Sequence, residues 1–179
     1  MEASITFKSV AKKIKSETLL ADLSFGVEKN TRFALVGPNC SGKSSIIKLI
    51  SGIMQKDRGS IYIKGYDIGL RLNQIKSIIG YMPQNIEFDN DLTVNENISI
   101  YGQLYGLDKV SLKKKINGLS KELGFYDYLD SMPNTLSYGV SRVIMFARSI
   151  IHNPEIVLLD EPTSNIDPKE FATLSKELA

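Results

Sequence analysis

The sequence predicts an α/β fold, and three observations carry that prediction. Apolar and polar residues alternate in two N-terminal segments, 5–10 and 23–27, as they do in half-buried antiparallel strands. A short apolar run at 33–36 leads through a glycine-bearing loop into helical periodicity at 44–53. A second apolar run, at 156–159, follows a longer helical stretch. Such runs are typical of strands covered on both faces, so we expect a core sheet with helices and a separate antiparallel β-subdomain.

The first half of the chain contains further strand signals. Lys12, Lys13 and Lys15 lie between the two alternating segments and are most simply a solvated hairpin tip. Segments 59–63 and 78–82 have the length and apolar content of strands, and a proline follows the second one directly. The sequence therefore predicts two more strands before residue 84.

A mostly helical stretch is predicted from Leu92 to Leu123, with Gly102, Gly106 and Gly118 as breaks. The next apolar positions recur at helical spacing up to residue 151, which predicts a helix ending near His152. Beyond the strand at 156–159, Asp167 as N-cap with Glu170 three residues later predicts a capping-box helix start.

Composition excludes several classes of protein. The chain has 179 residues, 42% of them hydrophobic and 23% charged, which is in the range of globular domains rather than disordered or fibrous chains. A net charge of +2 gives no argument for nucleic-acid binding. No apolar run approaches the roughly 18 residues of a membrane span. Without a signal peptide, and with Cys40 as the single cysteine, we expect a cytoplasmic location.

The loop between the predicted strand at 33–36 and the predicted helix matches G-x-x-x-x-G-K-[ST]. In this motif glycines let successive backbone N–H groups point at a phosphate, and the helix start adds its positive dipole end. Lys43 would contact the β- and γ-phosphates, and the Ser44 hydroxyl would bind Mg²⁺. This context predicts a P-loop NTPase core of mainly parallel strands. The predicted phosphate-binding residues are Gly37, Pro38, Asn39, Cys40, Ser41, Gly42, Lys43, Ser44 and Ser45.

A P-loop also needs a carboxylate for the metal. Asp160 stands at the carboxyl end of the apolar run at 156–159, where such a ligand belongs. Glu161 follows directly and is placed to polarise the attacking water. The two residues are thus the predicted metal ligand and the predicted catalytic base.

The order of further motifs resembles the nucleotide-binding domain of ABC ATPases over residues 5–170. Residues 81–84, Tyr-Met-Pro-Gln, look like the segment carrying the family's Q-loop glutamine, and 136–140, Leu-Ser-Tyr-Gly-Val, like its LSGGQ signature. Residues 156–162 look like Walker B and 164–167 like the D-loop. The resemblance implies that Gln84 reaches Mg²⁺ or the attacking water, and that Ser137 and Gly139 serve the γ-phosphate of a partner's ATP.

Residues 91–98 and 101–107 look most like the drug and antibiotic exporter branch of that family. The resemblance implies that two such domains, identical or different, sandwich two ATP molecules with Mg²⁺. Opening of the dimer after hydrolysis would then drive a separate membrane-spanning subunit, to which this chain would bind at the inner face of the cell membrane.

The chain also departs from the family pattern. Ile14 stands where an aromatic residue usually stacks on adenine, and Tyr138 and Val140 replace Gly and Gln of the signature. Cys40 takes a loop position that is commonly Gly, where a positive φ would cost a side chain about 1 kcal/mol or more. We interpret Cys40 as a substitution without a functional role. The alternative is that its thiol, near a helix start, is acidified and can be modified.

The family's switch histidine normally lies roughly thirty residues beyond Walker B, whereas the chain stops at Ala179 and its one histidine, His152, precedes Walker B. We therefore expect one ABC ATP-binding domain over residues 1–179, with a helical subdomain at about 92–150 and without the C-terminal switch region. A non-hydrolysing nucleotide-binding or regulatory module is the alternative to an active ATPase. The short interval between Lys43 and Asp160 argues against relatives with a long coiled-coil insertion.

Overall fold

A computed structural model describes residues 3–162. The chain divides into two units, Met1–Ile79 and Gly80–Ala179. The predicted D-loop at 164–167 and the predicted capping box at Asp167 lie outside the described residues.

The first unit contains an antiparallel sheet in the order β2-β1-β3-β4. Its strands are β1 (Ala3–Ile14), β2 (Glu17–Glu28), β3 (Arg58–Ile63) and β4 (Tyr66–Asp67). Buried Phe7 lies opposite Phe25 of β2 and opposite Ile61 of β3, so alternate residues of β1 form the core of this sheet. Lys15 has a φ of 55° in the turn between β1 and β2, which confirms the predicted hairpin. Lys12 and Lys13 are not at its tip as predicted, because both lie within β1 and the Lys12 ammonium pairs with Asp57 at 2.9 Å.

Two helices accompany this sheet, α1 (Lys43–Ile50) and α2 (Leu72–Ser77). Leu49 and Ile50 are buried on the apolar face of α1. The predicted helix extended to Ile53 and was too long, because Gly52 has a φ of 72°. A left-handed glycine just past the last turn is a common way for a helix to end.

The predicted strand at 33–36 is wrong. Within residues 3–162 no strand pairs with this segment, and it has no regular secondary structure. Val36 is 94% exposed and Phe33 is 53% exposed, although the Phe33 ring stacks on Phe25 at 5.7 Å. An apolar run favours burial, but a strand also needs neighbours that satisfy its backbone hydrogen bonds, and none of the described strands supplies them.

As far as residue 162, the second unit combines a two-stranded sheet with three helices. The strands are β5 (Ile79–Met82) and β6 (Ile156–Leu159), and the helices are α3 (Val94–Leu104), α4 (Lys109–Glu122) and α5 (Tyr138–Ile150), with 3₁₀ turns at Tyr126–Tyr128 and Pro133–Thr135. At the end of the sheet the Asp160 backbone N–H donates to the Met82 carbonyl at 3.0 Å. The predicted strands at 78–82 and 156–159 are thus confirmed.

Only one of the three predicted helix breaks is correct. Gly106 lies between α3 and α4 with a φ of 81°. Gly102 and Gly118 lie inside α3 and α4, respectively. A Cβ on Gly102 would come within 2.5 Å of the Leu112 side chain, so this glycine lets α3 and α4 approach closely instead of ending a helix.

The core of the second unit is built mainly from α3, α4, α5 and β5. Its largest fully buried apolar side chains are Met82, Ile98, Ile116, Phe125, Ile144 and Met145. None of the helices within 3–162 is long and apolar enough to cross a membrane.

Candidate functional site

The predicted phosphate-binding loop of the first unit turns sharply before α1. Two of its residues have left-handed backbones, Cys40 with φ 63° and Gly42 with φ 92°. Gly42 adopts this conformation without steric penalty, whereas a residue with a Cβ loses about 1–2 kcal/mol. The strain predicted at Cys40 is therefore present, and the Cys40 side chain is exposed.

Lys43 follows this loop as the first residue of α1. Its ammonium donates to the carbonyl oxygens of Gly37 and Pro38 at 2.9 and 2.7 Å. The Ser41 backbone N–H also donates to the Pro38 carbonyl, at 3.3 Å. The loop thus curls around the lysine, which brings a positive charge to the loop concavity as the motif requires.

The start of α1 is suited to binding an anion. Gly42 is its N-cap and offers no side-chain acceptor, and the first turn contains no acidic residue. Backbone N–H groups at a helix start carry a partial positive charge and favour phosphate. Ser44 and Ser45, both half-buried, lie in this first turn, and Asn39 is exposed in the loop.

The second unit brings together the two predicted catalytic residues. The Gln84 side-chain amide donates from Nε2 to Oε2 of Glu161 at 2.9 Å, although 77 positions separate them in the sequence. Gln84 follows β5 by two residues, and Glu161 follows β6 by two residues. Because β5 and β6 are neighbouring strands, the two segments beyond them converge.

Asp160 lies beside this pair and is 2% exposed. Burial raises the pKa of the nearby Tyr81 phenol to about 12, and the negative charges of Asp160 and Glu87 add to that shift. A buried carboxylate at the end of a strand is a suitable hard-oxygen ligand for a divalent cation. The Ser44 hydroxyl and the Gln84 amide oxygen are likewise oxygen donors, so the residue types fit Mg²⁺; their role as ligands stays a prediction.

Arg142 on α5 is a functional candidate that the sequence reasoning missed. Its side chain is fully buried, and it donates to the carbonyls of Pro83, Gln84 and Glu161 at 2.9, 2.7 and 2.8 Å. The available signal was an arginine within the apolar stretch of a helix, because a buried arginine must find compensating polar groups. Burial lowers the pKa of Arg142, and the charges of Asp160 and Glu161 oppose that shift.

The backbone of Glu161 is itself unusual, with a φ of 48°. This left-handed conformation costs a glutamate about 1–2 kcal/mol. Such strain persists where the surroundings fix the residue, and here the Glu161 carbonyl is held by Arg142. The strained residue is the one that the sequence predicts as catalytic base.

The signature residues form the start of α5. Ser137 is its N-cap, and its hydroxyl accepts a hydrogen bond from the Val140 backbone N–H at 3.2 Å. Gly139 is buried in the first turn, while Tyr138 is 39% exposed. Ser137 therefore stands at the start of a helix, as the resemblance implies. That Ser137 and Gly139 contact the ATP of a partner stays a prediction.

Two other residues singled out in the sequence have clear positions. His152 lies in the turn after α5, as predicted, and its ring stacks on Tyr105 with 3.7 Å between centroids. Ile14, which stands where the family usually has an aromatic residue that stacks on adenine, ends β1 and is 47% exposed.

Comparison with known proteins agrees with the motif order. The sequence model of the ABC transporter family matches residues 20–164. The chain is 35% identical over 162 residues to the linearmycin resistance ATP-binding protein LnrL of Bacillus subtilis, covering 90% of this chain and 52% of that protein. It is 30% identical over 165 residues to the Nod factor export ATP-binding protein I of Ralstonia nicotianae, covering 92% and 51%. The chain thus spans about half the length of the curated relatives it matches.

A solved structure described as the ATP-binding subunit of an ABC transporter shares the fold. The TM-score is 0.87 at 26% identity, covering 97% of this chain and 72% of that one. The predicted α/β fold class is confirmed by this likeness. Since the family model covers most of the chain and the motifs lie within it, the chain belongs to the ABC transporter family.

Proposed function

We propose that the chain is the ATP-binding and ATP-hydrolysing subunit of an ABC exporter. The observation that carries the proposal is the contact between Gln84 and Glu161, which joins the Q-loop to the end of Walker B at 2.9 Å. The P-loop geometry around Lys43 supports it from the first unit. The exporter assignment is supported by two relatives, whose names describe resistance to linearmycin and export of Nod factor.

Each residue would contribute to hydrolysis by its chemistry. Lys43 and the N–H groups at the start of α1 would neutralise the β- and γ-phosphates. Ser44, Asp160 and Gln84 would hold Mg²⁺, which when bound offsets phosphate charge. Glu161 would accept a proton from the water whose oxygen attacks the γ-phosphorus, while the bond to the β–γ bridging oxygen breaks and ADP leaves.

Membership of the same family supports a proposal for the assembly. Ser137 and Gly139 at the start of α5 would complete the γ-phosphate site of a second ATP-binding domain, identical or different. Binding of ATP would then close the dimer, and hydrolysis would open it and move a membrane-spanning subunit. The chain would act at the inner face of the cell membrane through that partner.

Steady-state phosphate release with Mg²⁺-ATP tests the proposal. Glu161→Gln should lower kcat by about 100-fold or more, the range expected for loss of a general base, and should leave ATP binding intact. Glu122→Gln, an exposed position on α4, is the matched control and should retain activity. Unchanged hydrolysis in Glu161→Gln would refute the base assignment. Binding without turnover in the unmodified chain would favour the non-hydrolysing alternative.

A further inference from the structure

The buried positive charge of Arg142 is stabilised by main-chain carbonyls and, in the described part of the chain, not by a carboxylate at salt-bridge distance. Its guanidinium is buried, and within residues 3–162 it makes no salt bridge. Its three hydrogen-bond acceptors are main-chain carbonyls. A buried cation without a salt bridge is costly unless well-oriented dipoles replace its hydration. The carbonyls do so at the two terminal nitrogens, while Nε has no hydrogen-bond partner among the described residues. The positions of those carbonyls are therefore coupled to the presence of the guanidinium.

The three carbonyls belong to the two backbone segments that carry the predicted catalytic pair. One terminal nitrogen, NH1, binds the consecutive carbonyls of Pro83 and Gln84, and the other, NH2, binds that of Glu161. A guanidinium is planar and rigid, so its two nitrogens fix the distance and the angle between their acceptors. A lysine ammonium is a point charge on a flexible chain and cannot impose that geometry.

We call the three hydrogen bonds from Arg142 to the carbonyls of Pro83, Gln84 and Glu161 the clamp. It acts against the backbone strain at Glu161. The φ of 48° at Glu161 is disfavoured for a residue with a Cβ, so the segment would relax if nothing held it. Relaxation at this residue would change the direction of its side chain relative to Gln84. The hydrogen bond from Arg142 to the Glu161 carbonyl, at 2.8 Å, acts on the strained residue itself.

We propose that Arg142 is a positioning residue, which holds the backbones of Gln84 and Glu161 so that the amide of one meets the carboxylate of the other. It touches no reacting atom, and it acts through the two residues whose main chain it binds. This inference rests on the proposed function for its consequence in catalysis, but the geometric effect exists without ATP. Loss of the clamp should lower kcat and leave the KM for ATP nearly unchanged.

Arg142→Lys tests the proposal, with Arg148→Lys as the matched control. Arg148 lies on the same helix and donates to a different carbonyl, that of Glu87, at 2.6 Å. We expect Arg142→Lys to lower kcat by about 100-fold, the scale of a 1 Å misplacement of catalytic groups, with less than about a threefold change in KM. Arg148→Lys should stay within about threefold of the parent in both constants.

A second readout needs no ATP. The NMR signal of the Gln84 side-chain amide, assigned through Gln84→Glu, should shift in Arg142→Lys toward its position in Glu161→Ala and stay unchanged in Arg148→Lys. If the parent protein hydrolyses no ATP, the proposed function is wrong. The shift of the Gln84 amide signal then still shows whether Arg142 positions Gln84 and Glu161. If Arg142→Lys does not fold, Arg142→Gln replaces it in both assays. An unshifted Gln84 signal, or equal losses of kcat in the two lysine variants, would overturn the inference.

Discussion

Replacing Asn97 with alanine should strongly destabilise the second unit. Asn97 lies on α3 and is 6% exposed. Its Oδ1 accepts from the Asp89 backbone N–H at 2.9 Å, and its Nδ2 lies 2.9, 3.1 and 3.0 Å from the carbonyls of Asp89, Leu92 and Thr93. One side chain thus fastens the segment at 89–93 to the helix that follows it.

The size of the effect follows from these bonds. The amide nitrogen has two protons and can therefore donate about two hydrogen bonds, although three carbonyls lie within reach. With the bond that Oδ1 accepts, the side chain makes about three hydrogen bonds. At about 1 kcal/mol each, their loss costs about 3 kcal/mol. Alanine has a better helix propensity than asparagine, which offsets about 0.5 kcal/mol of this loss in stability. The net expectation is a loss of about 2–3 kcal/mol in the free energy of unfolding.

Urea unfolding of Asn97→Ala and Asn95→Ala measures this difference. Asn95 is two positions earlier on the same helix and is exposed, so its replacement should change stability by less than about 0.5 kcal/mol. Asn97→Asp should also be destabilising, because a carboxylate accepts but cannot donate to the three carbonyls. Equal stabilities of Asn97→Ala and Asn95→Ala would refute the reasoning.

Two further predictions concern packing and alkaline pH. Gly80→Ala should lower the free energy of unfolding by at least about 2 kcal/mol through overpacking, because its Cβ would lie 2.2 Å from the Ser149 carbonyl oxygen. Gly118→Ala, where nothing lies within 4 Å of the added Cβ, should raise it by about 0.5–1 kcal/mol through better helix propensity. Thermal unfolding that ranks the two variants the other way would contradict this. Since the pKa of Tyr81 is about 12 in the folded chain against 10.0 ordinarily, the unfolded chain ionises first, so stability should fall between pH 10 and 12 and be unaffected below. The loss should be about 1 kcal/mol after solvent screening, and Tyr81→Phe should remove it from the pH-dependent unfolding curve.

Local patterns predicted much of the fold. Alternation at 5–10 and 23–27 located the hairpin of β1 and β2, and the P-loop motif located the start of α1 within one residue. The run at 156–159 coincides with β6. These features depend on neighbouring residues and on the two periodicities of strand and helix, which a single sequence contains.

The failures concern contacts between distant residues. The run at 33–36 has strand composition, but the sequence does not reveal which strand, if any, pairs with it. Gly102 looked like a helix break, and only the position of Leu112 shows that it serves close packing. At the candidate site, Gln84 and Glu161 were predicted from motifs, but Arg142 was missed because its carbonyl partners lie 58, 59 and 19 positions away.

The central claim is that the loop around Lys43 binds the phosphates of ATP, and calorimetric titration with Mg²⁺-ATP tests it most directly. Lys48→Ala, on the last turn of the same helix, is the matched control and should bind like the parent protein. Lys43→Ala should bind at least about 100-fold more weakly, as expected for loss of a charge-assisted contact worth about 3 kcal/mol. Equal ATP affinity of Lys43→Ala and the parent protein would contradict the account.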